Sequence, residues 1–148
     1  MAMELSPLQL KQLIFTRLHV EAAAGLDQVE AFWAPTFDFT GVTLKVDVSL
    51  STPESAPADE APLFMLAVHL SIPNEPGSSV IAPYAIDMAA QAWFELDPAF
   101  ASEKREELVR INGVSLVLGA MREMVQQMTA RSAFGPMLLP TLRFLPER

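Results

Sequence analysis

Apolar positions repeat with period two along much of the first two-thirds of this chain and with a period near 3.6 in the last third. From Thr36 to Thr52, Val42, Leu44, Val46, Val48 and Leu50 alternate with Thr43, Lys45, Asp47 and Ser49, which predicts a strand with one wet face. Phe37 and Phe39 lie in the opposite phase, and the switch at Gly41 predicts a bulge. Leu13 to Glu21 reads as an earlier strand, with Ile14, Thr16, Leu18 and Val20 on one side and Phe15, Arg17, His19 and Glu21 on the other. Leu63 to Ile72 reads as a further strand, with Phe64, Leu66, Val68, Leu70 and Ile72 on one face. Ser6-Pro7 predicts a short helical turn, and Asn74-Glu75-Pro76-Gly77 a tight turn. Ala22 to Pro35 is a connection, but Leu26, Val29, Phe32 and Trp33 imply that it is packed down.

Two regions carry the helical pattern. Ile81 to Leu96 fits either period: Asp87, Gln91 and Glu95 are four apart in an Ala-rich stretch, whereas Tyr84, Ile86, Met88, Ala90, Ala92, Phe94 and Leu96 alternate. Further on, Val114, Val117, Leu118, Met121, Met124, Val125 and Met128 form one apolar stripe, with Arg122, Glu123, Gln126, Gln127 and Arg131 off it. Ser102 is the expected cap of that helical region, followed by Glu103, Glu106 and Glu107 at its positive end. Gly113 and Gly119 are candidate interruptions, and Gly135-Pro136 the expected stop. Strands first and helices after predict an α+β domain with an antiparallel sheet.

Composition sharpens this. The 148 residues are 51% hydrophobic and 19% charged, oily for a single domain of this size, yet no apolar run approaches a membrane span. The surplus points to subunit contacts or a partner surface. Val117, Met121, Met124 and Met128 are the candidate oligomer interface, because Met adapts to many shapes. The net charge of −8 opposes binding to nucleic acid. Absence of Cys removes disulfides and thiolate chemistry, and the first residues show no signal peptide, so a cytoplasmic location is expected. Residues 53–62, rich in Pro, Ala and acids, read as a flexible loop within one domain spanning 1–148.

Little suggests catalysis. His19 and His69 are isolated in sequence, with no metal-ligand spacing, and both read as structural. There is no phosphate loop and no nucleophile elbow. Neither an enzyme nor a cofactor or metal site is therefore expected. The competing function class is a small-ligand domain or an enzyme with an enclosed pocket.

Several segments together resemble SecB, the bacterial protein-export chaperone, and the SecB-like chaperones of toxin–antitoxin systems. Ile14-Phe15-Thr16-Arg17 with Glu21-Ala22 is similar to the family's first strand, and Trp33-Ala34-Pro35 to the W-x-P that precedes its second. Tyr84 to Leu96, with Trp93-Phe94 near its end, resembles the fourth strand, which favours strand for that segment. Arg122-Glu123, Val125, Met128, Arg131, Phe134, Gly135-Pro136 and Leu139-Pro140 resemble the long helix and the stretch after it.

The resemblance implies a four-stranded antiparallel sheet with a long helix on one face, assembled as a homotetramer, a dimer of dimers. It implies an ATP-independent holdase that keeps unfolded polypeptides in apolar grooves, for export through SecA or for a dedicated client such as an antitoxin. Groove candidates by position are Phe37, Phe39, Met124, Phe134 and Phe144. Glu21 and Asp87 match acidic SecA contacts, but a third acidic position is Arg17, which puts SecA binding in doubt. The family's paired glycines are Gln91-Ala92 here, and its helix-kinking proline is Gly119. The sequence stops four residues after Phe144, so the family's second C-terminal helix is expected to be largely missing and the groove more open.

Overall fold

The computed structural model describes residues 1–52 and 60–143. Most of the expected loop at 53–62, and the groove candidate Phe144, therefore lie outside the described residues. Four strands, β1 (Leu8–Ala22), β2 (Lys45–Ser51), β3 (Leu63–Ile72) and β4 (Tyr84–Leu96), form one antiparallel sheet in the order β1-β4-β3-β2.

The two central strands are the most regular. Phe64, Leu66, Val68, Leu70 and Ile72 of β3 are buried on the same face as Tyr84, Ile86, Met88, Ala90, Ala92, Phe94 and Leu96 of β4. This settles the ambiguous segment as a strand. A helix would have scattered those seven residues around its circumference, whereas period two places all of them on one core. Asn74 closes the β3–β4 connection, its side-chain amide bonded both ways to the Ala82 backbone at 2.9 Å.

β1 departs from the expected alternation. Its register against β4 shifts between Leu10 and Gln12 and again between Phe15 and Arg17. Each extra residue resets the phase. Phe15 therefore pairs with Ala90 on the core face, and Ile14, Arg17 and His19 pair with Gln91, Ala89 and Asp87 on the outer face. The helical turn expected at Ser6-Pro7 does not form. Instead Asp97 N donates to Pro7 O at 2.9 Å and β1 begins at Leu8, paired with Leu96.

The strand expected from Thr36 is also shorter, because β2 begins only at Lys45. Ahead of it lie a 3-10 turn at Ala34–Thr36 and an irregular stretch in which Thr40 N and Thr40 Oγ1 donate to Asp38 Oδ1 at 2.9 and 2.7 Å. Gly41 has φ 86, so the phase switch is a turn that leads into the strand, not a bulge within it.

The helical region opens with a 3-10 turn at Ser102–Lys104. It continues through α1 (Arg105–Leu108), a π-turn at Val109–Gly113 and α2 (Val114–Thr129). Ser102 does not cap it; Lys104 N bonds Ala101 O instead. The π-turn ends at Gly113, where a Cβ would sit 3.3 Å from Cε2 of Phe94, so glycine allows the helix to come close to the sheet. Gly119 interrupts nothing. The helix stops at Thr129, earlier than Gly135-Pro136, and the chain turns back through residues 130–135. Thr129 Oγ1 donates to Val125 O at 2.7 Å and accepts from Met137 N at 2.8 Å, which fixes the start of the returning segment. Val114, Val117, Leu118, Met121 and Val125 pack this layer onto the sheet. No helix among the described residues is long and apolar enough to cross a membrane.

Candidate functional site

Two surfaces gather the residues that could act. On the helix side lie two aromatic groups, the pair Phe37–Phe39 before β2, and Phe32 with Phe134 and Tyr84, which joins that connection to the segment after α2. Phe37 and Phe39 are half-buried and meet edge to face, ring centroids 5.0 Å apart. Such pairs contribute roughly 0.5–1.5 kcal/mol beyond the area they bury. Asp38 between them is exposed, and the Thr40 backbone N–H, then the Thr40 hydroxyl, hold its carboxyl below the ordinary value. Met124 is half-buried on α2.

Phe134 is a different case. It is completely buried, 5.6 Å from Phe32 and 5.8 Å from Tyr84 between ring centroids. The expectation that it lines an open groove is corrected: it belongs to the core and supports the connection before β2 through Phe32 and Ala34.

Tyr84 is the polar centre of that support. Its hydroxyl donates to Gly135 O and accepts from Phe134 N, both at 2.8 Å. Burial pushes its pKa above the ordinary value, and the Phe134 N–H acts in the opposite direction. Ala34 N donates to Phe134 O at 2.9 Å, so the Trp33-Ala34-Pro35 segment is tied to the same peptide units. Trp33 remains 45% exposed. Sequence reasoning places Trp33 in a packed connection and in the W-x-P of the resemblance, without its partners. Its signal is present in the neighbouring Pro35 and in Gly135, but these are about 100 residues apart in the chain.

The outer face of the sheet carries a polar band across all four strands. Arg17 Nη2 lies 2.7 Å from Asp87 Oδ2, His69 Nε2 bonds Asp87 Oδ1 at 2.5 Å, and His69 Nδ1 lies 3.8 Å from Asp47. The hydrogen bond from His69, then the Arg17 charge, hold the Asp87 carboxyl below its ordinary value, against the effect of burial. His69 is thus not isolated, because the sheet joins residues that are far apart in sequence. His19 lies 3.4 Å from Glu21, which is exposed. Asp47 and His69 of this band, with Ser49, Ala67 and Ala89, line an open depression of about 300 Å³. Glu95 is eight residues from Asp87 along the same strand, too far for the two carboxylates to act together. Among the described residues no cluster of three or more His, Asp or Glu could hold a metal ion.

The candidate oligomer seam divides. Val117 and Met121 are wholly buried against the protomer's own sheet, so the spacing of the stripe reflects core packing, and these two are corrected. Met124 and Met128 are half-buried. Exposed apolar residues lie elsewhere, among them Leu10, Ile14 and Leu18 on β1, and Ile111 and Leu116 on the helical layer.

No protein-family model matches the chain, and no curated protein matches it by sequence. Solved structures do match. A Streptococcus agalactiae protein of unknown function is similar at 14% identity and a TM-score of 0.55, covering 97% of this chain and all of that one. The Mycobacterium tuberculosis SecB-like chaperone, in complex with a ChAD peptide from the HigA1 antitoxin, is similar at 17% identity and a TM-score of 0.50. That match covers 91% of this chain and 87% of the other. A four-stranded antiparallel sheet backed by one long helix late in the chain is what these structures share with it, and the chain has a SecB-like fold.

Proposed function

We propose that this protein is a SecB-like holdase that binds unfolded polypeptide segments without ATP and without catalysis, in the cytoplasm. The observation that carries the reading is the partly buried aromatic pair Phe37–Phe39, on an irregular segment that follows the exposed Trp33 in the chain, within a SecB-like fold. Apolar side chains held at a surface offer a client area to bury, worth about 25 cal/mol per Å². Phe37, Phe39 and Met124 are the proposed contacts, and adaptable aromatic and Met walls favour tolerance over selectivity.

An antitoxin is the favoured client. The similar mycobacterial chaperone was solved with an antitoxin peptide, and the face that would meet SecA carries Arg17 bonded to Asp87. An acid already paired within its own sheet has little charge left for a basic partner. The working form is a homotetramer built as a dimer of dimers. β1 stands at a sheet edge, and its exposed Leu10 and Leu18 give a second copy something to cover.

The test is suppression of aggregation of a urea-diluted client, with affinity measured for a labelled antitoxin peptide. Phe39→Ser should weaken binding by ~1–3 kcal/mol and lower the melting temperature only by the few degrees that loss of the edge-to-face contact with Phe37 implies. A collapse of stability with normal binding by the folded fraction would place Phe39 in the core and defeat the assignment.

A further inference from the structure

His69 stands on the outer face of β3 between two acids from the neighbouring strands, Asp47 of β2 and Asp87 of β4. The two are not held alike. Nε2 bonds Asp87 Oδ1 at 2.5 Å, whereas Nδ1 only approaches Asp47 Oδ2, at 3.8 Å. The other oxygen of Asp87 is taken by Arg17 Nη2 at 2.7 Å. The His69 bond, then the Arg17 charge, hold that carboxyl below its ordinary value, so it is ionised at neutral pH and can only accept. The bond therefore assigns the proton of a neutral imidazole to Nε2, and Nδ1 turns a lone pair toward the Asp47 carboxylate. Two acceptors face each other there, and no hydrogen bond closes the gap. A second ring proton reverses this. Nδ1 becomes a donor aimed at an anion, and the ring carries its charge between two carboxylates.

The other charged groups around the ring have partners of their own. Lys45, next along the outer face of β2, lies 3.6 Å from Glu75, and His19 of β1 lies 3.4 Å from Glu21. What a bond to Asp47 would hold is β2, seven residues at a sheet edge that pair with β3. We propose that His69 is a proton-operated clasp, which on protonation bonds Asp47 and Asp87 at once and grips the edge strand β2 to the centre of the sheet. Histidine is the side chain whose charge changes between about pH 5 and 8. The grip is present on the acid side of neutrality and is released as pH rises, leaving β2 to its ladder with β3. It is lost again where the acids themselves take up protons. β2 directly follows the irregular segment that carries Phe37 and Phe39, so the proton sets how firmly that segment is anchored at its downstream end. The clasp is independent of the chaperone reading.

The test uses the full chain in a His19→Gln background, which leaves His69 as its sole histidine. Urea unfolding at about pH 5.5 and about pH 8, either side of the ordinary histidine range, gives a double-mutant cycle for His69→Gln with Asp47→Asn. At the lower pH the pair should be coupled by up to about fivefold in the unfolding constant, as an exposed pair allows. At the higher pH the coupling should vanish. The cycle of His69→Gln with Asp87→Asn should instead show coupling at both, since Nε2 donates in either state. Equal Asp47 coupling at the two pH values, or none at the lower one, overturns the clasp. Nitrogen-15 spectra of the ring read the same switch in the folded protein without altering any of the three side chains. Nε2–H alone at the higher pH and both N–H groups at the lower are the expected result. A ring proton on Nδ1 at the higher pH overturns the proposal, because Asp47 would then be bonded without acidification.

Discussion

Arg17 and Asp87 meet across β1 and β4 on the outer face of the sheet, Nη2 to Oδ2 at 2.7 Å. The second bulge of β1 makes the contact, because it turns Arg17 outward opposite Ala89, one rung from Asp87. Asp87 is held below its ordinary value of 3.8 in the folded protein. A depressed folded-state value means that the stabilisation is complete above the unfolded value and is lost as pH falls through the folded one. Asp87→Asn should therefore lower stability at neutral pH by at most ~1 kcal/mol, as an exposed pair allows. The difference from the parent should vanish below the ordinary carboxylate range. Urea titrations at pH 7 and pH 3 check this, and an equal loss at both would show that the charge is not involved.

The same pair predicts weak SecA binding. Arg17→Asp should strengthen any such binding at low salt, where screening is least, and Glu21→Lys should weaken it. Surface-immobilised binding at two ionic strengths reads both. Tight binding that ignores both changes would place the contact elsewhere.

Thr129 is the buried polar residue of α2, and its hydroxyl is the acceptor for Met137 N. Thr129→Val keeps the shape and leaves that N–H unpaired, at an expected cost of ~1–3 kcal/mol. Hydrogen exchange should show faster exchange at Met137, and denaturant melts should show the loss.

Met121 and Met124 lie three residues apart on α2 with different surroundings, one wholly buried and one half-buried. Met121→Ala should cost ~2–5 kcal/mol through the cavity it opens. Met124→Gln should cost much less and instead weaken client binding. Melting temperature and client affinity on the same preparations separate the two.

Light scattering should give a mass near four times 16.2 kDa. Leu10→Lys with Leu18→Lys should reduce that mass with circular dichroism intact, since both side chains are exposed in the protomer. A tetramer that tolerates both lysines would move the interface away from β1.

How much of this is legible in the sequence depends on how local the controlling contact is. β3 reads with its own ends, because uninterrupted alternation between polar turns leaves one solution. β1 is recognisable but its facing is not, since its two bulges are set by pairing with β4 about 70 residues away. Residues 36–44 alternate like a strand, yet the turn at Asp38–Thr40 and the positive φ of Gly41 hold them out of the sheet. Phe37 and Phe39 are conspicuous because aromatic residues stand out in any pattern. Tyr84, whose partners are 50 and 51 residues distant, offers no local sign of its role.

The strand order has a consequence in time. β1 leaves the ribosome before the rest of the sheet, but the partner of Ala22 is Tyr84, so β1 finds no sheet until β4 has emerged. At about 5–20 residues per second, that interval lasts on the order of several seconds. Throughout it, Leu10, Ile14, Phe15 and Leu18 belong to an unpaired apolar segment. A protein proposed to shelter unfolded chains thus begins its own life as one that needs shelter.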